Sequence, residues 1–273
     1  MAKKTKKTTA SVIPFRSKKA RQTASNHQGC PDCEEARDEG KAEQEAFQSA
    51  QAVCVEAFEH EDSSAKVAMA LRALSMHAKC TDAWFLLAMN FAEDPISRLG
   101  LLRNGVFAAL EFYGERLDLM AMWTSEETRP LMRCRFAMAQ TFWESGLKEE
   151  AMGEAADMLM DNPTDDQGIR FSLMGWFLGM GMYEAAEDLL EDYDRETSPE
   201  WVVARIAVGL KTKTLDRKAA QALLKEDPEA SLSLKALLNA SRETDAPACT
   251  LAPLQQGDGK LWATIQELAA EAL

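Results

Sequence analysis

His27, Cys30 and Cys33 are the residues whose types and spacing come nearest to chemistry. In His27-x-x-Cys30-Pro31-Asp32-Cys33 an imidazole and two thiols fall within seven residues, the local spacing of half a zinc site or of a redox Cys-x-x-Cys turn. A tetrahedral zinc centre needs a fourth ligand, and the sequence offers no second Cys-x-x-Cys and no histidine pair; Cys54 and His60 are the nearest donors, both on an expected helix. Redox use normally places the motif at the start of a helix in a β-α-β context, which this sequence lacks. Three readings stay open: an incidental linker, a zinc site completed from elsewhere or across a dimer, and thiol chemistry. No other cofactor is expected. Cys54, Cys80, Cys134 and Cys249 are scattered through expected helices and read as reduced, buried, small apolar residues.

The acidic clusters Asp157, Asp161, Asp165, Asp166 and Glu184, Glu187, Asp188, Glu191, Asp192 have the spacing of paired carboxylates. Beside apolar residues at helical intervals, the same spacing describes the solvated outer face of a helix, and that is the reading adopted. His77 has no serine or cysteine partner nearby in sequence, so no nucleophile and base pair is assigned. Gly175, Gly179 and Gly181 follow no strand and form no phosphate loop; close helix packing and a turn account for them. No catalytic residue is nominated, and the chain is expected not to be an enzyme.

Charge separates two regions. The net charge is −13, yet the first 26 residues hold eight Lys or Arg and no Asp or Glu, which leaves −21 on the remainder. Residues 1–40 therefore read as a basic, disordered arm carrying the Cys-x-x-Cys turn, and 41–273 as one helical repeat domain. The acidic body argues against nucleic-acid binding by the folded domain, since phosphates would be repelled; the arm keeps a weak claim to nucleic-acid contact or to docking on the protein's own acidic body or a membrane surface. No apolar run approaches the roughly 18 residues of a spanning helix, and no secretory leader is evident. A cytoplasmic protein is expected.

The elements that must position any site announce themselves through a repeat. The pattern Phe-x-Leu/Met-x-x-x-Phe occurs at Phe85-Leu87-Phe91, Phe136-Met138-Phe142 and Phe171-Leu173-Phe177, recurring after 51 and then 35 residues. A period near 34 is that of tetratricopeptide-like helical hairpins. Met132 to Pro163 fits one unit, with Ala139, Phe142, Gly146, Ala151 and Pro163 at its characteristic positions, and Gly146-x-x-Glu-x-Ala151 recurs as Gly181-x-x-Glu-x-Ala186. Small residues at positions eight and twenty let antiparallel helices approach, while large ones, Phe91 among them, fill the seams. Asp94-Pro95, Ser198-Pro199 and Asp227-Pro228 mark helix starts, and Thr164-x-x-Gln167 reads as a capping box. The 16 residues beyond one period fall near Tyr113 to Glu127, predicting a long second helix and an insertion. The fold expected is all-α, an α-α superhelix of antiparallel hairpins.

The runs Thr128-Arg129-Pro130-Leu131-Met132-Arg133, Phe142-Trp143 with Gly146, and Asn162-Pro163-x-Asp165-Asp166-Gln167-Gly168-Ile169-Arg170 resemble uncharacterised bacterial tetratricopeptide proteins whose central region is similar to the suppressor of tumorigenicity seven domain. The resemblance spans roughly residues 60 to 240 and implies a helical repeat fold without an established catalytic role. In such arrays positions two, five, nine and twelve of each first helix tend to line the concave surface. Here they are Phe85 and Met89, then Arg133, Phe136, Gln140 and Trp143, then Phe171 and Leu178. That set would form an apolar groove with one cation, suited to a peptide or helix of a partner protein of unknown identity. The alternative is that these side chains merely pack against neighbouring hairpins, and that Arg129, Arg133, Arg135 and Arg170 pair with buried acids. The stripe Leu261, Trp262, Ile265 and Leu268 suits either a cap on the last hairpin or an occupant of the groove.

Overall fold

The computed structural model describes residues 31–226 and 256–272. The chain divides into two compact units, Met1–Gln44 and Glu45–Leu273. Eleven α-helices are described: α1 (Pro31–Phe58), α2 (Ser63–Met76), α3 (Thr81–Asn90), α4 (Pro95–Tyr113), α5 (Arg129–Glu144), α6 (Lys148–Asp161), α7 (Ile169–Gly179), α8 (Tyr183–Asp192), α9 (Pro199–Thr212), α10 (Arg217–Glu226) and α11 (Gly259–Ala272). Among the described residues there is no strand, and no helix is long and apolar enough to cross a membrane.

From α2 to α10 every helix packs on the next, and α3 also touches α5 while α7 touches α9. This is an α-α superhelix of antiparallel hairpins, with α3–α4, α5–α6, α7–α8 and α9–α10 as its units. The small residues expected at close approaches are fully buried: Ala88, Ala139, Ala151 and Ala186. Around them the core is filled by Leu86, Leu102, Leu131, Met132, Met158, Ile169, Met174, Trp201 and Ile206, each large side chain contributing about 1.5–3 kcal/mol by leaving water. The hairpin turns follow the sequence repeat. Gly146 and Gly181 take φ of +82° and +70°, a left-handed conformation in which a side chain would be strained, so the chain reverses there at little cost.

The extra length between the first two Phe motifs is the 19-residue α4, a 3₁₀ turn at Gly114–Leu119 and an insertion up to Thr128. The Tyr113 hydroxyl donates to the Glu127 carbonyl at 2.9 Å, which ties this insertion to the end of α4.

Several local expectations need correction. Asp94 caps α4 as expected, accepting from the Ile96 and Ser97 amides at 2.9 and 3.0 Å. Ser198 precedes Pro199 at the start of α9 but makes no side-chain cap; its own N–H donates to Glu196 at 2.9 Å. Thr164 and Gln167 form no capping box, because α7 begins later, at Ile169. Asp165 takes that role from φ +49°, its carboxylate accepting from the Ile169 and Arg170 amides at 2.8 and 2.9 Å. Phe91 fills no seam: α3 ends at Asn90, so Phe91 lies past the last packed turn and is 66% exposed. Asp227-Pro228 lies outside the described residues.

The acidic clusters also divide. Glu184, Asp188, Glu191 and Asp192 are exposed, as on a solvated face. Asp165 is buried and Asp161 half-buried, because each answers an arginine: Asp165 pairs with Arg170 at 2.8 Å, and Asp161 with Arg135 at 2.6 Å.

The carboxyl-terminal stripe is settled by packing. Helix α11 lies against α9 and α10, with Leu261, Trp262, Ile265 and Leu268 all buried. Among the described residues it covers the last hairpin, α9–α10.

Candidate interaction surface

The residues nominated for partner contact sit on α3, α5 and α7, the first helices of three successive hairpins. Phe85 on α3 is half-buried, its ring 6.1 Å from that of Phe58 on α1. One turn on, Met89 is 47% exposed. On α5, Phe136 is half-buried and Gln140, at the same repeat position as Met89, is exposed. Because α3 and α5 pack directly, these four residues occupy equivalent sites on adjoining helices.

Further along, the aromatic residues turn towards the fold. Trp143 stacks on Trp176 of α7 with ring centroids 5.0 Å apart and planes 12° from parallel, and the Lys148 ammonium lies 3.6 Å from the Trp143 centroid. Phe171 meets Trp201 of α9 edge-on at 5.6 Å, with the Arg170 guanidinium 4.4 Å from its centroid. Leu178 is fully buried and presents no surface. Trp143 and Phe171 are thus half-buried seam residues between hairpins.

The four arginines are each engaged within the chain. Arg133 grips Asp82 through Nε to Oδ1 at 3.0 Å and Nη2 to Oδ2 at 2.5 Å. Asp82 is fully buried while Arg133 keeps 30% of its side chain exposed. Burial pushes the Asp82 carboxyl above its ordinary range, and the Arg133 charge and hydrogen bonds, with the Gln51 amide, pull it only part of the way back. Arg135 bridges Glu154 and Asp161, both at 2.6 Å. Arg170 joins Asp165 to Glu196, tying the turn before α7 to the one before α9. Arg129 donates to the Trp123 carbonyl at 3.0 Å.

Sequence reading missed Asp82, although a signal existed. Asp82 and Arg133 are separated by the same 51 residues as Phe85 and Phe136, so opposite charges stand at position two of consecutive first helices. It also missed what lies behind Asp82. Cys54 of α1 and Cys80, the residue that opens α3, bring their sulfurs to 3.6 Å, and Gln51 bridges Cys80, at 3.4 Å, and the Asp82 carboxylate. His27 and Cys30 lie outside the described residues, and Cys33 falls in the first turn of α1. His77 ends α2, where its ring meets those of Phe47 and Phe112, each at 5.4 Å.

No family model, curated protein or solved structure matches this chain. Its class is therefore defined by its own architecture, an all-α superhelix of antiparallel helical hairpins.

Proposed function

We propose that this protein is a non-enzymatic adaptor of tetratricopeptide type, related in its central region to the suppressor of tumorigenicity seven domain, that works in the cytoplasm and binds a peptide or helix of a partner protein. The observation that carries the reading is the pair of equivalent sites on α3 and α5: exposed Met89 and Gln140 at one repeat position, and half-buried Phe85 and Phe136 at another, on helices in direct contact. A flexible thioether beside aromatic edges is an adaptable surface for an apolar helix. Trp143 and Phe171 extend the same set along the array, and the Arg133 charge is matched by Asp82. Anchors of this kind are worth about 2 kcal/mol each when central to an interface.

Two kinds of variant test the proposal. Met89→Glu and Gln140→Glu alter exposed side chains and are expected to fold normally while losing captured partners. Phe136→Ala is expected to lose partners with helicity and melting largely kept, and Phe171→Ala to lose them while folding with a lowered melting temperature, since it also gives up its contact with Trp201. Unchanged partners in all four folded variants reject the surface, and collapse of the Phe variants with Met89→Glu silent assigns those rings to the core.

The other reading, a zinc-dependent regulatory or assembly protein, is carried by the spacing of His27, Cys30 and Cys33. Metal analysis of protein purified without added zinc decides it. Absence of stoichiometric zinc, with assembly unchanged in Cys33→Ser, removes it.

A further inference from the structure

Behind the α3–α5 contact lies a pair of thiols that the adaptor reading does not use. Cys54 and Cys80 are both fully buried, come from different helices 26 residues apart, and hold their sulfurs 3.6 Å from one another. Formation of a disulfide asks the two sulfurs to close to about 2.05 Å, a movement smaller than a rotamer change. Cys80 sits at the N-cap of α3, where the positive end of the helix dipole favours a thiolate.

We propose that Cys54 and Cys80 are a redox modification site, a reduced dithiol that a small hydroperoxide converts to an intramolecular disulfide joining α1 to the start of α3. The thiolate of Cys80 attacks the peroxide, breaking its O–O bond to leave a sulfenic acid and hydroxide. The Cys54 sulfur then displaces the sulfenic oxygen. Two thiols and one hydrogen peroxide thus give one disulfide and two waters, with the peroxide reduced. The division of labour follows the local chemistry: the hydrogen bond from Cys54 is the largest influence holding the Cys80 thiol below its ordinary range, and the same contact, then burial, pushes Cys54 up. Cys134 is bonded to the Thr81 carbonyl at 3.8 Å, and burial pushes its thiol up.

The bond would be felt beyond the sulfurs. The Cys80 thiol donates to Gln51 Oε1, and Gln51 in turn donates to Asp82, the carboxylate that holds Arg133. Oxidation removes the first donor of that chain and fixes the α1–α3 junction covalently. The inference stands whether or not α3 and α5 bind a partner.

The experiment treats the folded full-length protein with hydrogen peroxide, quenches with acid, alkylates free thiols and maps the peptides. The expected result is a linked peptide containing Cys54 and Cys80, a mass loss of about 2 Da before reduction, reversal by dithiothreitol, and a raised melting temperature. The same linkage is expected in a Cys30→Ser/Cys33→Ser variant, which removes the competing pair. Cys54 and Cys80 recovered separately alkylated while other cysteines oxidise, or Cys80 driven to sulfinic acid without any linked peptide, overturns the proposal. Mapping the wild type carries the test even if Cys54→Ser folds poorly.

Discussion

At the scale of single residues, the Asp82–Arg133 pair illustrates why removing the two ends of one ion pair has unequal consequences. Arg133→Ala leaves a fully buried carboxylate with only Gln51 and is expected to cost about 3–5 kcal/mol, whereas Asp82→Ala leaves a guanidinium that water already reaches and costs less. The pH dependence separates the two further. Burial already holds the Asp82 carboxyl above its ordinary range, and without Arg133 only the Gln51 hydrogen bond opposes it, so the folded pKa rises further above the unfolded value of about 3.9. The folded variant then binds the proton more readily than the unfolded chain, so its deficit is largest at neutral pH and shrinks as pH falls through that raised value. Urea unfolding of Arg133→Ala at several pH values checks this; a deficit that is constant or grows on acidification contradicts it. The pairing was only half legible in the sequence. Arg133 stood out through its repeat position, but its partner is found by asking what occupies the same position one repeat earlier. Cys54 and Cys80 offered no such clue, because α1 lies outside the repeat and its facing follows from tertiary packing.

At the scale of elements, the parts encoded by backbone requirements were the readable ones. The two Gly-x-x-Glu-x-Ala turns, the Asp94-Pro95 start and the long α4 all follow from conformational preferences of a few neighbouring residues. The capping of α7 was not readable in this way, since Thr164 and Asp165 are both good caps and the winner depends on where the half-buried Arg170 draws the chain. Helix α11 provides a test of close approach. A Cβ on Gly257 would fall 1.9 Å from the Gly179 carbonyl oxygen, so Gly257→Ala cannot be accommodated without moving α11 or the end of α7. Next to it, Asp258 accepts from the Leu261 amide and the Tyr183 hydroxyl, both at 3.0 Å, and pairs with Lys211. The Lys211 contact is the main reason its carboxyl is held below the usual range, and the Tyr183 hydroxyl is pushed up to about 12 by burial and by the same carboxylate. A depressed folded pKa stabilises the fold above the unfolded value of about 3.9 and loses that contribution as pH falls through the folded value. Protection of the amides in residues 259–268, taken relative to the intrinsic exchange rate at each pH, should therefore fall below about pH 4, and Asp258→Ala should weaken docking by about 1 kcal/mol at neutral pH. Exchange in α11 that is insensitive to both changes would detach Asp258 from the docking of this helix.

At the scale of the whole molecule, a repeat array has no single centre, and each hairpin depends on its neighbour to cover an apolar face. The order of hairpins could be read from spacing because every unit repeats the same local solution. The role of the carboxyl-terminal stripe could not, since amphipathicity states that a face is buried without stating against what. Its position on α9 and α10 makes α11 a cover of the last described hairpin, with four large apolar side chains worth about 1.5–3 kcal/mol apiece at stake. Deleting residues 256–273 is expected to expose the faces of α9 and α10 and to lower the melting temperature. Because the uncovered face resembles the seam between any two hairpins, the shortened protein should also self-associate through it. Light scattering during size exclusion measures this directly, with the full chain run at the same concentration. A shortened protein that elutes at an unchanged oligomeric state and melts at the same temperature would mean that α9 and α10 are stable uncovered, and that α11 does not complete the array.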